Sequence, residues 1–298
     1  MRLGRTAERR RRRSVRSRRP GTRPPSTRPC CTSSPICRTC CSSTRSTTSA
    51  TRAGPTRRLR ASPAVRTVTG PLVSVIVPVH NGARFLAAAL DSVAAQDYGS
   101  MEIVVVDDGS SDNSAEIAAS YRVRLLQQPN RGVAEARNAG VAESSGELLA
   151  FLDQDDLWLE RKVSRQVAAL EADPTLGFVL TRMDILLEPG TPRPEWLPEQ
   201  MRWQDSRGTV PSALMVRREA FERVGGFDPG YRLTCDADWL ARAKDAGVRW
   251  SAVDEILVRY RIHGGNEIYD RDAVLREVLA VVGASLRRQR SVIGTGGA

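Results

Sequence analysis

From Pro71 onward the apolar and polar positions fall into short alternating blocks. Leu72–Val79 (LVSVIVPV) is a β-branched run of strand length. Phe85–Ala95 (FLAAALDSVAA) places its apolar residues at helical spacing. Ile103–Val106 (IVVV) predicts a second buried strand, ending at Asp107-Asp108-Gly109-Ser110. Ser111, Asp112 and Ser114 then offer N-caps to a helix running to about Tyr121. Val123–Leu126 predicts a third short strand, Gly132–Ser144 a helix, and Leu148–Leu152 (LLAFL) a fourth strand that ends at Asp153. Strands alternating with helices of about 10–15 residues predict βαβ units on a mostly parallel sheet, an α/β fold. Strands that are apolar throughout predict helices on both faces of that sheet.

The polar residues that interrupt this pattern sit at strand ends: His80 and Asn81, then Asp107 and Asp108, then Asp153, Asp155 and Asp156. In open α/β sheets the carboxyl edge is where ligands bind. No G-x-G-x-x-G and no G-x-x-x-x-G-K-[ST] follows the first strand, which argues against a dinucleotide-binding dehydrogenase and a P-loop NTPase. No apolar run reaches the roughly 18–20 residues of a membrane helix.

Charge divides the chain. Of its 298 residues, 1–70 carry 19 arginines and a single acid, Glu8, for a net +18. The remainder carries −7, and the whole +11. The isoelectric point near 10.1 therefore belongs to the tail. A nucleic-acid-binding domain carries its basic patch on folded surface, so nucleic acid is an unlikely partner of the body. Residues 1–70 are Arg, Ser, Thr and Pro with few large apolar side chains, a composition that predicts a disordered tail. An electrostatic arm, a zinc site on Cys37 and Cys40 with Cys30 or Cys31, and a start codon set too early (true start near Val68) are three further readings of it. The last rests on the use of 43 Arg against 2 Lys, a mark of GC-rich coding DNA. The body holds one cysteine, Cys235, which fits a reducing, cytoplasmic compartment.

Asp153-Gln154-Asp155-Asp156 places three carboxylates in four residues, which repel one another unless a cation or hydrogen-bond donors intervene. Mg²⁺ or Mn²⁺, with oxygen ligands shared with a diphosphate, is one answer. A solvated loop whose acids cap a helix beginning near Leu157 is the plainer one. Likewise Asp107 and Asp108 serve equally to cap the next helix, and Arg137 to pair with Glu135 or Glu143 on a helix surface.

The ordered runs VSVIVPVHNGARFLAAALDSVAAQDY, EIVVVDDGSSDNS and NRGVAEARNAGVAESSGELLAFLDQDDLW resemble glycosyltransferase family 2 over about residues 72–265. The resemblance implies a GT-A fold and inverting transfer from a nucleotide diphosphate-sugar, a UDP-sugar foremost, with Mn²⁺ or Mg²⁺. It implies that Pro78, His80 and Asn81 border the base and ribose, although His80 stands where many relatives have Tyr. It implies that Asp107 and Asp108 accept a hydrogen bond from the base and that Arg137 faces the nucleotide or its phosphates. Asp153 and Asp155 would form the family's D-x-D, with Asp155 and Asp156 nearest the metal. Thr234-Cys235-Asp236-Ala237-Asp238-Trp239 resembles the family's Glu-Asp-x-Asp, with Cys235 in the Glu position. Asp236 would then be the general base and Asp238 its neighbour, each raising the other's pKa if they face. Within Tyr260–Asn266, Arg261 would neutralise phosphate, and His263 would ligate the metal or touch the diphosphate.

The donor half is expected at about 71–157, the acceptor half at 158–265 and a C-terminal helix at 270–290. The acceptor is unidentified: glycan, lipid, peptide and small molecule stay open. Trp196 and Trp203, in the Pro-rich stretch Glu188–Arg207, suit an apolar or sugar acceptor or packing on the core. The C-terminal helix is read as a packing or oligomer helix, with peripheral contact at the inner face of a membrane as the other reading. A nucleotidyltransferase is the rival enzyme, but His80-Asn81-Gly82-Ala83-Arg84 is a poor phosphate loop for one. A non-catalytic nucleic-acid binder acting through the tail is the rival of another class.

Overall fold

The computed structural model describes residues 70–194, 209–266 and 270–295, with side chains of the last helix described as far as 290. The tail, with its cysteines, and both Trp196 and Trp203 lie outside the described residues.

Eight strands form one sheet in the order β3-β2-β1-β4-β7-β6-β8-β5. β1 (Val73–Val79), β2 (Met101–Asp108), β3 (Arg124–Gln128) and β4 (Leu148–Phe151) are mutually parallel, as the βαβ pattern predicts. α1 (Leu86–Ala94), α2 (Ser114–Ala119) and α3 (Val133–Ala142) connect them. Side chains alternate across the sheet, so each strand serves two cores. Val73, Val75, Val77 and Val79 pack on one face with Leu86, Leu90 and Val93 of α1. Ile76 points to the other face, with Leu149 and Phe151 of β4. Both sets are buried, which is why these strands read as unbroken apolar runs.

The second half was less legible. β5 (Leu157–Trp158) occupies the place where a helix near Leu157 was the plainer expectation; α4 (Lys162–Ala172) begins five residues later. β6 (Phe178–Leu187), β7 (Leu214–Arg217), α5 (Arg218–Val224), α6 (Cys235–Asp245), β8 (Trp250–Ile262) and α7 (Arg271–Thr295) follow. β7 runs antiparallel to β4 and β6, β5 runs antiparallel to β8, and β6 and β8 are parallel to each other. β1, β2, β4, β6 and β8 therefore all point one way. Their carboxyl ends, with the start of β7, bring the loops after Val79, Asp108, Phe151, Leu187 and Ile262 to one edge.

Under that edge Phe151, Phe178, Phe221, Phe227 and Trp239 form a ring cluster, with centroids 5.1–6.3 Å apart between neighbours. Trp239 also donates its indole N–H to the Gly225 carbonyl at 2.9 Å. This cluster fixes α6, and with it the acidic first turn of that helix, against the sheet.

Candidate active site

The loops after β1 and β2 are stitched together. Asn81, at φ +50°, is in the left-handed region that Asn tolerates. Its Oδ1 accepts from the Ser111 backbone N–H at 2.8 Å and hydroxyl at 3.1 Å. His80 donates Nδ1–H to the Asp108 carbonyl at 2.9 Å, which fixes the tautomer and leaves Nε2 as an acceptor. His80 and Asn81 are exposed, whereas Pro78 is buried inside β1, beyond the point where β4 pairs with it, so its missing N–H breaks no ladder on that side.

Asp107 and Asp108 are buried and already occupied. Asp108 accepts from the N–H groups of Arg131 (2.9 Å) and Gly132 (2.8 Å) and from the Gln128 amide (2.7 Å). Asp107 accepts from the Ser110 N–H at 3.0 Å. Asp108 thus holds the start of α3, not the helix that follows it in sequence. Gly132 has φ +91° there, a conformation that favours glycine.

The Asp153–Asp156 run splits into four roles. Gln154 grips the His80 backbone, accepting its N–H at 2.9 Å and donating to its carbonyl at 3.2 Å. A Cβ at Gly82 would fall 2.2 Å from that amide oxygen, so a larger residue there would push the Gln154 amide from its grip. Asp156 is sealed in: it accepts from the Ser212 hydroxyl at 2.6 Å and from the Arg261 N–H at 2.9 Å. Burial, followed by the charges of Asp155 and Asp153, pushes its carboxyl well above the usual range. Asp156 is therefore turned into the protein, away from the place a metal ligand would take. Asp155 faces the loop after β8, with its Oδ2 lying 3.0 Å from His263 Nε2 and 3.3 Å from Asn266 Nδ2. Asp153 meets Arg137.

Arg137 is 4% exposed. One of its terminal nitrogens donates to Asp153 at 2.6 Å and the other to the Cys235 sulfur at 3.3 Å, while the guanidinium lies 5.4 Å from the Phe227 ring centre. The surface pairing with Glu135 or Glu143 does not form; Glu143 pairs with Arg124 at 2.8 Å. Nor is a buried guanidinium presented as an open phosphate contact. Arg137 instead ties α3 and the end of β4 to the start of α6.

Asp236 is in the first turn of α6, partly open on one side. Thr209, Val210, Pro211, Leu214, Phe227 and Leu240 pack around it and leave no gap that a water molecule would fill. Burial pushes its carboxyl up to about 6, with Asp153 adding to the rise and Arg137 opposing it. Asp238 does not face it. Asp238 is buried and accepts from Arg242 Nε at 2.7 Å, and Arg242 in turn fastens the Val224, Gly225 and Gly226 carbonyls. The expected carboxylate pair is thus replaced by burial near Asp153. Burial likewise raises the Cys235 thiol to about 11, against the pull of Arg137.

Arg261 is buried, with Nε donating to the Asp155 carbonyl at 2.6 Å, a terminal nitrogen bound to Glu188, and its guanidinium 4.9 Å from the Phe85 ring centre. His263 also lies against Phe85, at 4.6 Å between ring centres. Among the described residues no three His, Cys, Asp or Glu side chains gather closely enough to hold an ion unaided.

The sequence model of glycosyl transferase family 2 matches residues 74–225, which contain the stitched loops, Arg137 and the Asp153–Asp156 run. The chain belongs to this family. An uncharacterized glycosyltransferase of Nostoc sp. is 34% identical over 65% of this chain and 66% of its own length. Glycosyltransferase AglE of Haloferax volcanii is 33% identical over 64% of this chain and 67% of its own. With a Rickettsia typhi glycosyltransferase matched over 64% of its length, this chain spans just under two thirds of several such relatives. Mannosyltransferase PcManGT of Pyrobaculum calidifontis, solved with GDP-Man and Mn²⁺, superposes with a TM-score of 0.58 at 23% identity, over 74% of this chain and 65% of that one. Staphylococcus aureus TarS 1–349, solved with UDP-GlcNAc, gives 0.56 at 22%, over 67% and 61%. These structures establish the GT-A glycosyltransferase fold for this family 2 member.

Several residues of the site went unread in the sequence. Gln154 stands inside the acidic run, where its charged neighbours mask it. Ser212, which accepts from the Asp153 N–H at 3.1 Å while donating to Asp156, carries no signal beyond its place before β7. Glu188, Asn266 and Glu277 reach the site from loops and helices distant in sequence. No helix among the described residues is long and apolar enough to cross a membrane.

Proposed function

We propose that the protein transfers a sugar, with inversion, from a nucleotide diphosphate-sugar to an acceptor hydroxyl, and that Asp236 is the general base. One observation carries this reading. Asp236, at the sheet's ligand edge, is raised to about 6 and is partly open, while the buried Asp108 and Asp156 of that edge spend their oxygens on internal donors. A base with that pKa is ionised at neutral pH yet still takes a proton readily.

Exposed His80 and Asn81, held by Asp108, Ser111 and Gln154, offer the surface for base and ribose. Asp108 supports that surface from beneath. A UDP-sugar is the donor favoured, in keeping with the UDP-GlcNAc bound by TarS, and GDP-Man in PcManGT makes a GDP-sugar the alternative. Asp155 and His263 fit a divalent ion: a carboxylate oxygen and an imidazole nitrogen 3.0 Å apart supply two donors of the kind Mn²⁺ or Mg²⁺ accepts. Diphosphate and water would complete the shell. When bound, such an ion supplies Lewis-acid stabilisation to the leaving diphosphate.

In the transfer, Asp236 takes the acceptor's proton as the acceptor oxygen bonds to the anomeric carbon. The bond from that carbon to the diphosphate oxygen breaks on the opposite side, and the diphosphate leaves with the electron pair. Arg137 holds Asp153 and the start of α6 in register throughout.

The test is calorimetric titration of the full chain with UDP, GDP and dTDP, with and without Mn²⁺. The expected result is metal-dependent binding of one nucleotide that Asp155→Asn weakens. Failure of the folded chain to bind any of them would overturn the assignment.

A further inference from the structure

We propose that the outer face of α7 docks the protein on an anionic lipid surface. Among the described residues the large hydrophobic side chains that stand exposed are Leu275, Val278, Leu279, Val282 and Leu286, all on this one helix. Their spacing of three and four residues puts them on a single stripe. From Leu275 to Leu286 the stripe runs about 16 Å at the α-helical rise.

The helix cannot turn to bury that stripe, because its opposite side is fastened to α6 at both ends. Glu277 accepts from the Leu233 and Thr234 N–H groups at 2.8 and 3.0 Å and from the Thr234 hydroxyl at 3.0 Å. Ser285 and Arg288 donate to Asp245 at 2.9 and 2.7 Å. Val281, between these anchors, is buried. The apolar face is therefore a fixed outer surface of a folded helix.

Charge selects the occupant. At 100° per residue, Arg276, Arg287 and Arg290 line one edge of the stripe, and all three are exposed. Glu277 is turned inward, which leaves Asp272 as the one carboxylate on the exposed part of α7. An apolar stripe bordered by arginines suits acyl chains below and anionic headgroups beside them. A second copy of the helix would bring the same arginine edge and no acidic row to answer it. The body outside the tail carries a net −7, so this basic border stands apart from its surroundings and sets which side approaches the lipid. The docking stands independently of the transfer reaction, although Glu277 joins the docked helix to the turn that carries Asp236.

The test is flotation of the full chain with phosphatidylcholine vesicles, with and without phosphatidylglycerol. Every variant carries the same arginine-rich tail, so a difference between variants at one ionic strength reports on α7. The wild type is expected to float with the anionic vesicles, and Leu275→Glu combined with Leu279→Glu to lose roughly tenfold or more in partitioning. Because both leucines are exposed, an unchanged urea midpoint is expected and separates lost docking from lost folding. A second variant, Arg276→Glu with Arg287→Glu, is expected to lose the preference for phosphatidylglycerol. Partitioning that the leucine substitutions leave unchanged would overturn the proposal. So would a dimer, seen by sedimentation, that these substitutions dissolve while vesicle binding persists.

Discussion

The amino-terminal and carboxy-terminal halves of the sheet hold their polar side chains by different means. In the first half Asp107, Asp108 and Asn81 sit at the ends of β1 and β2 and bond to backbone and side chains of neighbouring loops. Each such bond satisfies a nearby group, so the half forms a rigid cradle before any ligand arrives. In the carboxy-terminal half Asp236 has only backbone N–H groups of its own helical turn, Ala237 foremost, set against its burial. It is held by the position of α6, which rests on the aromatic cluster, on Arg137 and on Glu277. The difference separates carboxylates that build the site from the one we propose as the base, whose carboxyl burial raises to about 6.

The largest effect expected from breaking this division is Asp236→Asn. The amide keeps shape but cannot take a proton, and transfer should fall by about 10²–10⁴-fold. Nucleotide binding should stay within roughly twofold, since the substitution leaves the cradle intact. Single-turnover rates beside calorimetry would separate the two. A variant with wild-type transfer would remove Asp236 from the role of base.

Next comes Arg137→Met, which cuts the tie between the halves. It leaves Asp153 without its buried cation, and such a broken pair costs about 3–5 kcal/mol of stability. Urea denaturation measures it. A loss below about 1 kcal/mol would mean that Arg137 bridges the halves in geometry only.

How much of this was legible in the sequence follows from the same division. β1, β2 and β4 announced themselves because helices cover both their faces, and their polar ends marked the cradle. β6 and β8 did not. β6 slips register at Thr181 and Arg182 against β8, which carries charged Asp254, Glu255 and Arg259, and neither gives a clean period. The acids of Asp153–Asp156 follow β4 at the sheet edge, as the pattern predicts. Their division could not be read, because it depends on Ser212, Arg261, Arg137 and His80, which the fold brings in from 16 to 106 residues away. The resemblance makes Asp238 the neighbour of Asp236. Four residues further on, Arg242 captures it instead, one helical turn being the shorter reach.

The smallest effect is also the one that most directly tests why Asp236 differs. Its carboxyl is raised from the usual 3.8 to about 6 by burial. The folded state therefore holds that proton more tightly than the unfolded chain does. The stabilisation this gives is complete below about pH 4 and is lost as pH rises through 6. Asp236→Asn has no charge to bury, so its stability relative to wild type should grow from pH 5 to pH 8, by on the order of 1 kcal/mol once solvent on the open side of the group is allowed for. The kcat/KM of the wild type should climb over the same interval, because only the ionised base accepts the proton. Denaturation of the two proteins at the two pH values tests this directly: a stability difference that stays constant from pH 5 to pH 8 would mean that burial does not hold the Asp236 carboxyl at a cost.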